Sequence, residues 1–201
     1  MKLSPASALV IVDIQRDFLP GGALAVPRGD EVIAPSNRLA QGFASAGLPV
    51  VATRDWHPAD HMSFKDRGGP WPPHAIQDTP GAEFAKELAL PGDAWIVDKD
   101  SDSEKMTYSG FQDTDLADRL RETGVQTLLV CGLAMDYCVK QTALDALKEG
   151  FEVVLVADAC RGVNVHASDS PRAVEEMLRA GARIASSGAV HDALEAYTAA
   201  G

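Results

Sequence analysis

The chain has 201 residues, 46% hydrophobic and 23% charged, an ordinary globular composition with length enough for one domain over 1–201 and a substantial core. Its 18 basic and 29 acidic side chains leave a formal net charge of -11, which repels polyphosphate and anionic lipid and excludes nucleic acid and membrane surfaces as expected partners. No segment approaches the roughly 20 apolar residues of a membrane span, and the apolar run from Ala8 to Val12 is too short for a signal-peptide core, so a cytoplasmic location is expected.

In chain order, the patterning predicts a strand from Ala8 to Asp13, a helix from Glu31 to Ala46 and a strand from Pro49 to Arg54. A long connection, Asp55 to Pro80, precedes a strand from Ala94 to Lys99, and a second, Asp100 to Gly110, precedes a helix from Asp113 to Thr123. Loops of this length in an α/β domain are functional or disordered, and the first is rich in Trp, His and Pro, which marks it as a site loop. A strand from Thr127 to Cys131 leads to a helix from Asp136 to Lys148, where Val139, Ala143, Leu144 and Leu147 recur at helical steps before the stop at Gly150. The remainder reads as a strand from Glu152 to Asp158, a helix from Ser170 to Ala180, a strand from Arg183 to Ser186 and a helix from Val190 to Tyr197. Strands alternating with helices imply an α/β fold: a mainly parallel six-stranded sheet between two helical layers, α/β/α, in a single domain.

Open parallel sheets bind ligands beyond the carboxyl ends of their strands. Asp13 and Lys99 end predicted strands, Asp55 follows one, and Cys138 comes shortly after another, so all four converge on one edge. Cys138 falls in the first turn of a predicted helix, where the dipole and free N–H groups lower a thiol pKa and can hold an oxyanion. That position favours a nucleophile, whereas Cys131 and Cys160 read as buried hydrophobes and all three cysteines as free thiols. Asp13 is the nearest base to hand; an Asp and a Lys at strand ends are equally a structural ion pair, and the thiol is what lifts the catalytic reading. Asp55 and His57 flank Trp56, and His74 follows in Trp71-Pro-Pro-His74. One Asp and two His suit a divalent transition metal such as zinc, manganese or iron, although spacing alone is a weak signal, and His61 is a further candidate for a ligand or a supporting residue.

These residues lie in Val12-Asp13-Ile-Gln15-Arg-Asp17-Phe18, Thr53-Arg-Asp55-Trp-His57-Pro, Gly69-Pro-Trp71-Pro-Pro-His74, Thr79-Pro-Gly-Ala-Glu-Phe84, Tyr108-Ser-Gly-Phe111 and Cys131-Gly-Leu-Ala134-Met-Asp-Tyr-Cys138. With these motifs the chain resembles, from about Ala8 to Ser186, the isochorismatase-like cysteine hydrolases and, within them, the nicotinamidase/pyrazinamidase family. The resemblance implies a catalytic triad of Asp13, Lys99 and Cys138, metal ligands Asp55, His57 and His74, and pocket aromatics Phe18, Trp71 and Tyr108 beside Ala134. It also implies a cis peptide before Ala134 and an oxyanion hole from the backbone N–H groups of Ala134 and Cys138. The implied activity is hydrolysis of nicotinamide to nicotinic acid and ammonia through a cysteine thioester, with zinc, or manganese or iron, positioning the substrate, and pyrazinamide as a related substrate. Ala75, Asp78, Asp100 and Met135 depart from the family pattern, Asp100 by adding negative charge next to Lys99. A hydrolase of another small amide, a metal-hydroxide hydrolase with a structural Cys138, and a non-catalytic ligand-binding protein are the competing readings. The native metal, the amide range and assembly into a homo-oligomer are left open.

Overall fold

The computed structural model describes residues 2–200. Within them β1 (Ser7–Val12), β2 (Val50–Asp55), β3 (Trp95–Lys99), β4 (Thr127–Leu133), β5 (Glu152–Arg161) and β6 (Arg183–Ala185) form one sheet in the order β3-β2-β1-β4-β5-β6. Every pairing is parallel. Central strands of such a sheet are covered on both faces and so read as continuous apolar runs: every residue of β1 is buried, as are all but the first of β4. The edge strand β3 instead alternates, with Ile96 and Asp98 outward.

The helices are α1 (Ile33–Ser45), α2 (Leu116–Glu122), α3 (Lys140–Lys148), α4 (Asp169–Arg179) and α5 (Ser187–Ala199). The chain winds from β1 outward to β3, returns to β4 and winds outward again to β6. Right-handed crossovers then place α1 on one face and α3 and α4 on the other; α3 packs on α4, and α5, which follows the last strand, packs on α1. The result is the α/β/α arrangement expected from the alternation of elements.

The structure corrects several boundaries. The segment after β4 does not enter an α-helix at Asp136: residues Met135–Val139 form a wide turn in which Val139 N–H donates to the Ala134 carbonyl at 3.1 Å, and α3 begins only at Lys140. α2 starts after Asp113, whose φ of 55° no helix accommodates. α5 starts earlier than expected, because the Ser186 hydroxyl accepts the Ala189 N–H at 3.2 Å and caps it.

One glycine sets how closely the two central strands approach. The β4–β5 register shifts between Val130 and Gly132, and Gly132 has φ 116°. A Cβ there would lie 2.1 Å from the Val12 carbonyl oxygen, so only glycine lets β4 pass this close to the end of β1.

Candidate active site

The strand order reverses between β1 and β4, and such a switch point opens a crevice at the carboxyl ends of the strands. Asp13 leaves β1 into this crevice with φ 48°. Its N–H donates to the Thr53 carbonyl at 3.1 Å, and Thr53 Oγ1 donates to Asp13 Oδ1 at 2.7 Å. The β2–β3 register sets Asp55 beside Lys99. From there the Lys99 ammonium reaches Asp13 Oδ2 at 3.0 Å, pairs with Asp55 Oδ1 and donates to Cys138 Sγ at 3.5 Å. Asp13, Lys99 and Cys138, expected together from their strand ends, are therefore brought together, and all three are buried.

Burial sets the proton affinities. It pushes the Asp13 carboxyl up to about 6, against the pull of Lys99. Burial also raises the Cys138 thiol well above its ordinary value, although Lys99 acts in the opposite sense. The expectation of a lowered thiol pKa at a helix start is thereby corrected: Cys138 sits in the wide turn ahead of α3 and out of water, where an isolated thiolate is costly. For Lys99, burial favours loss of the proton, but Asp13 and Asp55 outweigh it and hold the ammonium charged. A thiol held protonated in this way could act as a nucleophile only with a base beside it, and Asp13, raised to about 6, is a carboxyl of suitable proton affinity.

Asp55, His57 and His74 each offer a donor atom within 4.8 Å of the other two. His57 Nδ1 lies 3.0 Å from the His74 carbonyl and His74 Nδ1 lies 2.8 Å from the Pro72 carbonyl. Carbonyls only accept, so both Nδ1 atoms carry a proton; at His74 this leaves Nε2 with a lone pair, while His57 Nε2 faces the Asp100 carboxylate at 3.0 Å, and although burial works against the charged ring, Asp100 and Asp55 outweigh it and raise the His57 pKa. Burial lowers the His74 pKa and keeps that ring neutral. Gln15 braces Asp55, its amide donating to the Asp55 carbonyl and accepting the Asp55 N–H, each at 2.8 Å. This donor set fits a divalent transition metal. Asp13, Asp55 and Cys138 also cluster, but the Lys99 ammonium already occupies the space a cation would need.

His61 stands behind this group, fully buried, with its ring 4.4 Å from that of His57 and Nδ1 2.7 Å from Ser63 Oγ. Asp100 is a second correction. Rather than turning its charge on Lys99, it folds back with φ 59°, places Oδ2 3.0 Å from His57 Nε2 and lies 3.5 Å from His61 Nε2.

Phe18, Trp71, Tyr108 and Ala134 line one pocket with Asp13, Cys138, Asp55, His57 and His74. Trp71 Nε1 donates to Tyr108 Oη at 3.1 Å, and Tyr137 stacks edge-on against Trp71 at 5.2 Å. The peptide before Ala134 is cis, in keeping with the resemblance. Sequence reasoning missed Tyr137 and Asp100 as pocket residues, although each adjoins a residue it did select.

Residues 7–188 match the family model of the isochorismatase domain. The chain is 41% identical over 201 residues to a nicotinamidase of Escherichia coli, covering 90% of this chain and 94% of that protein. It is 40% identical over 182 residues to a nicotinamidase/pyrazinamidase of Mycobacterium tuberculosis, covering 86% and 95%. Among solved structures, a Pyrococcus horikoshii pyrazinamidase in complex with zinc superposes with a TM-score of 0.87 at 52% identity over 90% of this chain and 99% of that one. A switch-point thiol with a carboxylate and a lysine, this sheet order and these near-full-length likenesses agree, and the chain belongs to the isochorismatase family, within its nicotinamidase/pyrazinamidase group.

Proposed function

We propose that the protein is a cytoplasmic amidohydrolase that converts nicotinamide to nicotinic acid and ammonia, and that pyrazinamide, with the same ring nitrogen and carboxamide, is a second substrate. The observation that carries this reading is the contact of the Lys99 ammonium with both the Asp13 carboxyl and the Cys138 thiol, beside a pocket lined by Asp13, Cys138, Asp55, His57 and His74. Asp13 takes the Cys138 proton as sulfur attacks the carboxamide carbon, and the backbone N–H groups of Ala134 and Cys138 receive the developing oxyanion. Ammonia leaves with the proton held by Asp13, and a thioester remains on Cys138. Asp13 then takes a proton from water as that water attacks the thioester carbon, and the proton returns to the Cys138 sulfur as the acid departs. Lys99 holds Asp13 and the sulfur in register and balances the charge that shifts between them. Phe18 and Trp71 flank the ring, and Tyr108 anchors Trp71. A divalent metal held by Asp55, His57 and His74, zinc in the first instance with manganese or iron as alternatives, would supply a Lewis-acid anchor for the ring nitrogen.

The test is ammonia release from nicotinamide by metallated protein, metal-stripped protein and Cys138→Ala. Activity that needs the metal and falls at least about a thousandfold in Cys138→Ala is expected, with metal still bound by the variant. No release from metallated wild type would overturn the reading. Retained activity in Cys138→Ala would move the nucleophile to a metal-bound hydroxide.

A further inference from the structure

The loop from Asp100 to Thr107 contains no helix or strand, yet its course is fixed by hydrogen bonds. Asp100 Oδ1 accepts the Thr107 N–H at 2.8 Å and the Thr107 hydroxyl at 3.1 Å, which closes the loop on itself. The Ser103 carbonyl accepts the Met62 N–H at 2.9 Å and ties the loop to the segment that carries His57 and His74. Between these anchors the loop delivers Met106 to the pocket lined by Asp13 and Cys138. There Trp71 Nε1 donates to Tyr108 Oη at 3.1 Å, and the Tyr108 hydroxyl in turn donates to Met106 Sδ at 3.9 Å. The thioether therefore lies against the aromatic wall, while 43% of the residue faces solvent. Met106 thus stands at the mouth, one side on the pocket and the other in water. About 40 Å3 of the pocket is open to the centres of water molecules, a few water positions at about 10–15 Å3 each. In so small a space the Cγ, Sδ and Cε atoms of Met106 form a large part of the outer wall.

We propose that Met106 sets the size limit of the substrate, restricting the site to single-ring carboxamides with no substituent on the ring edge that faces the mouth. The proposal rests on the amide hydrolysis of the proposed function. With the carboxamide at Cys138 and the ring nitrogen toward Asp55, His57 and His74, the edge of a pyridine ring centred on its 5-position is what remains to meet the outer wall. An unbranched, polarisable thioether yields to a flat ring and closes on it. One carbon too many in an apolar pocket costs about 10- to 200-fold in kcat/KM. Nicotinamide and pyrazinamide are bare on that edge and fit; 5-alkyl nicotinamides meet Met106.

The experiment compares kcat/KM for nicotinamide, 5-methylnicotinamide and 5-ethylnicotinamide in wild type, Met106→Ala and Met106→Leu, with melting curves to show that each variant folds. Leucine keeps the volume of methionine without its sulfur, whereas alanine removes both. The preference for nicotinamide over the 5-ethyl compound is expected to fall at least about tenfold in Met106→Ala and to stay within about threefold of wild type in Met106→Leu. A smaller fall in Met106→Ala, or an equal fall in both variants, would overturn the assignment. Calorimetric titration of the same amides into Cys138→Ala, with and without Met106→Ala, separates the wall from the chemistry. If wild type releases no ammonia from nicotinamide, the hydrolytic reading fails by itself, and a tenfold loss of size selection in binding still supports the wall. Absence of ammonia release together with unchanged selection, or with no binding at all, would overturn both.

Discussion

An ammonium that faces two carboxylates and a thiol with essentially no access to water cannot be removed without leaving charge behind. Lys99→Met strips the counter-ion from Asp13 and Asp55 at once, and breaking a buried pair from one side costs about 3–5 kcal/mol. Urea unfolding at neutral pH should show a loss of that size, with part of it recovered when Asp13→Asn is added. Asp13 itself carries the pH dependence. Its carboxyl is raised from 3.8 to about 6 by burial, so the native state holds a proton that the unfolded chain has released. The contribution of Asp13 to stability therefore falls as pH rises from about 4 to about 6 and is constant above. Activity runs the other way: kcat/KM for nicotinamide should climb as pH rises through about 6 and Asp13 becomes a free base, then stay level toward pH 9 because Lys99 remains charged and Cys138 remains protonated. A flat profile between pH 5 and 7 would contradict the assignment of Asp13 as base. At this scale Asp13, Lys99 and Cys138 were legible, since strand ends and a motif mark them. Asp100 was not, because its direction depends on a left-handed backbone and on Thr107, seven positions on, and neither has a local signature.

The elements that carry these residues are held by a few backbone features. Gly132 brings β4 against the end of β1, and its replacement by alanine would put a methyl group 2.1 Å from the Val12 carbonyl oxygen at a φ of 116°. Gly132→Ala should cost at least about 2 kcal/mol and should lower kcat more than it raises KM, because the displaced end of β4 leads directly into the turn that bears Cys138. Thermal melting and steady-state kinetics on the purified variant check both statements. Apolar periodicity located all six strands and the body of every helix, and it erred where a local hydrogen bond decides the boundary. The Ser186 cap extends α5 backward, Asp113 delays α2, and the wide turn at Met135–Val139 takes the place of the first helical turn around Cys138. Such wide turns concentrate at functional sites, and this one moves the thiol from a helix end into the buried crevice.

For the whole molecule, the site ties together segments far apart in the chain: the end of β1, the loop after β2, the end of β3 and the turn after β4 all contribute to one pocket. An ion bound there links them, so the metal should stabilise the entire fold by mass action, about 4 kcal/mol at a thousand times the dissociation constant. Stripping the metal with a chelator should lower Tm by several degrees, and restoring Zn2+ or Mn2+ should return it; an unchanged Tm would mean that no ion is tightly bound. The net charge of -11 disfavours polyanionic ligands, and among the described residues no helix is long and apolar enough to cross a membrane. By itself the sequence determined the fold class and the order of elements, because burial on both faces of a parallel sheet writes continuous apolar runs into β1 and β4 and helical spacing into the segments between. It also singled out candidates for the chemistry, because Asp13 and Lys99 end strands on the edge that Cys138 shortly follows, and the motifs around all three carry the family resemblance. Only the tertiary structure decided the proton affinities and the connections within the site. Desolvation raises Asp13 and Cys138 together, the β2–β3 register sets Lys99 beside Asp55 and within reach of Asp13 and Cys138, and Asp100 meets His57 across the loop. These effects depend on distance and solvent access in three dimensions, which no spacing along the chain encodes.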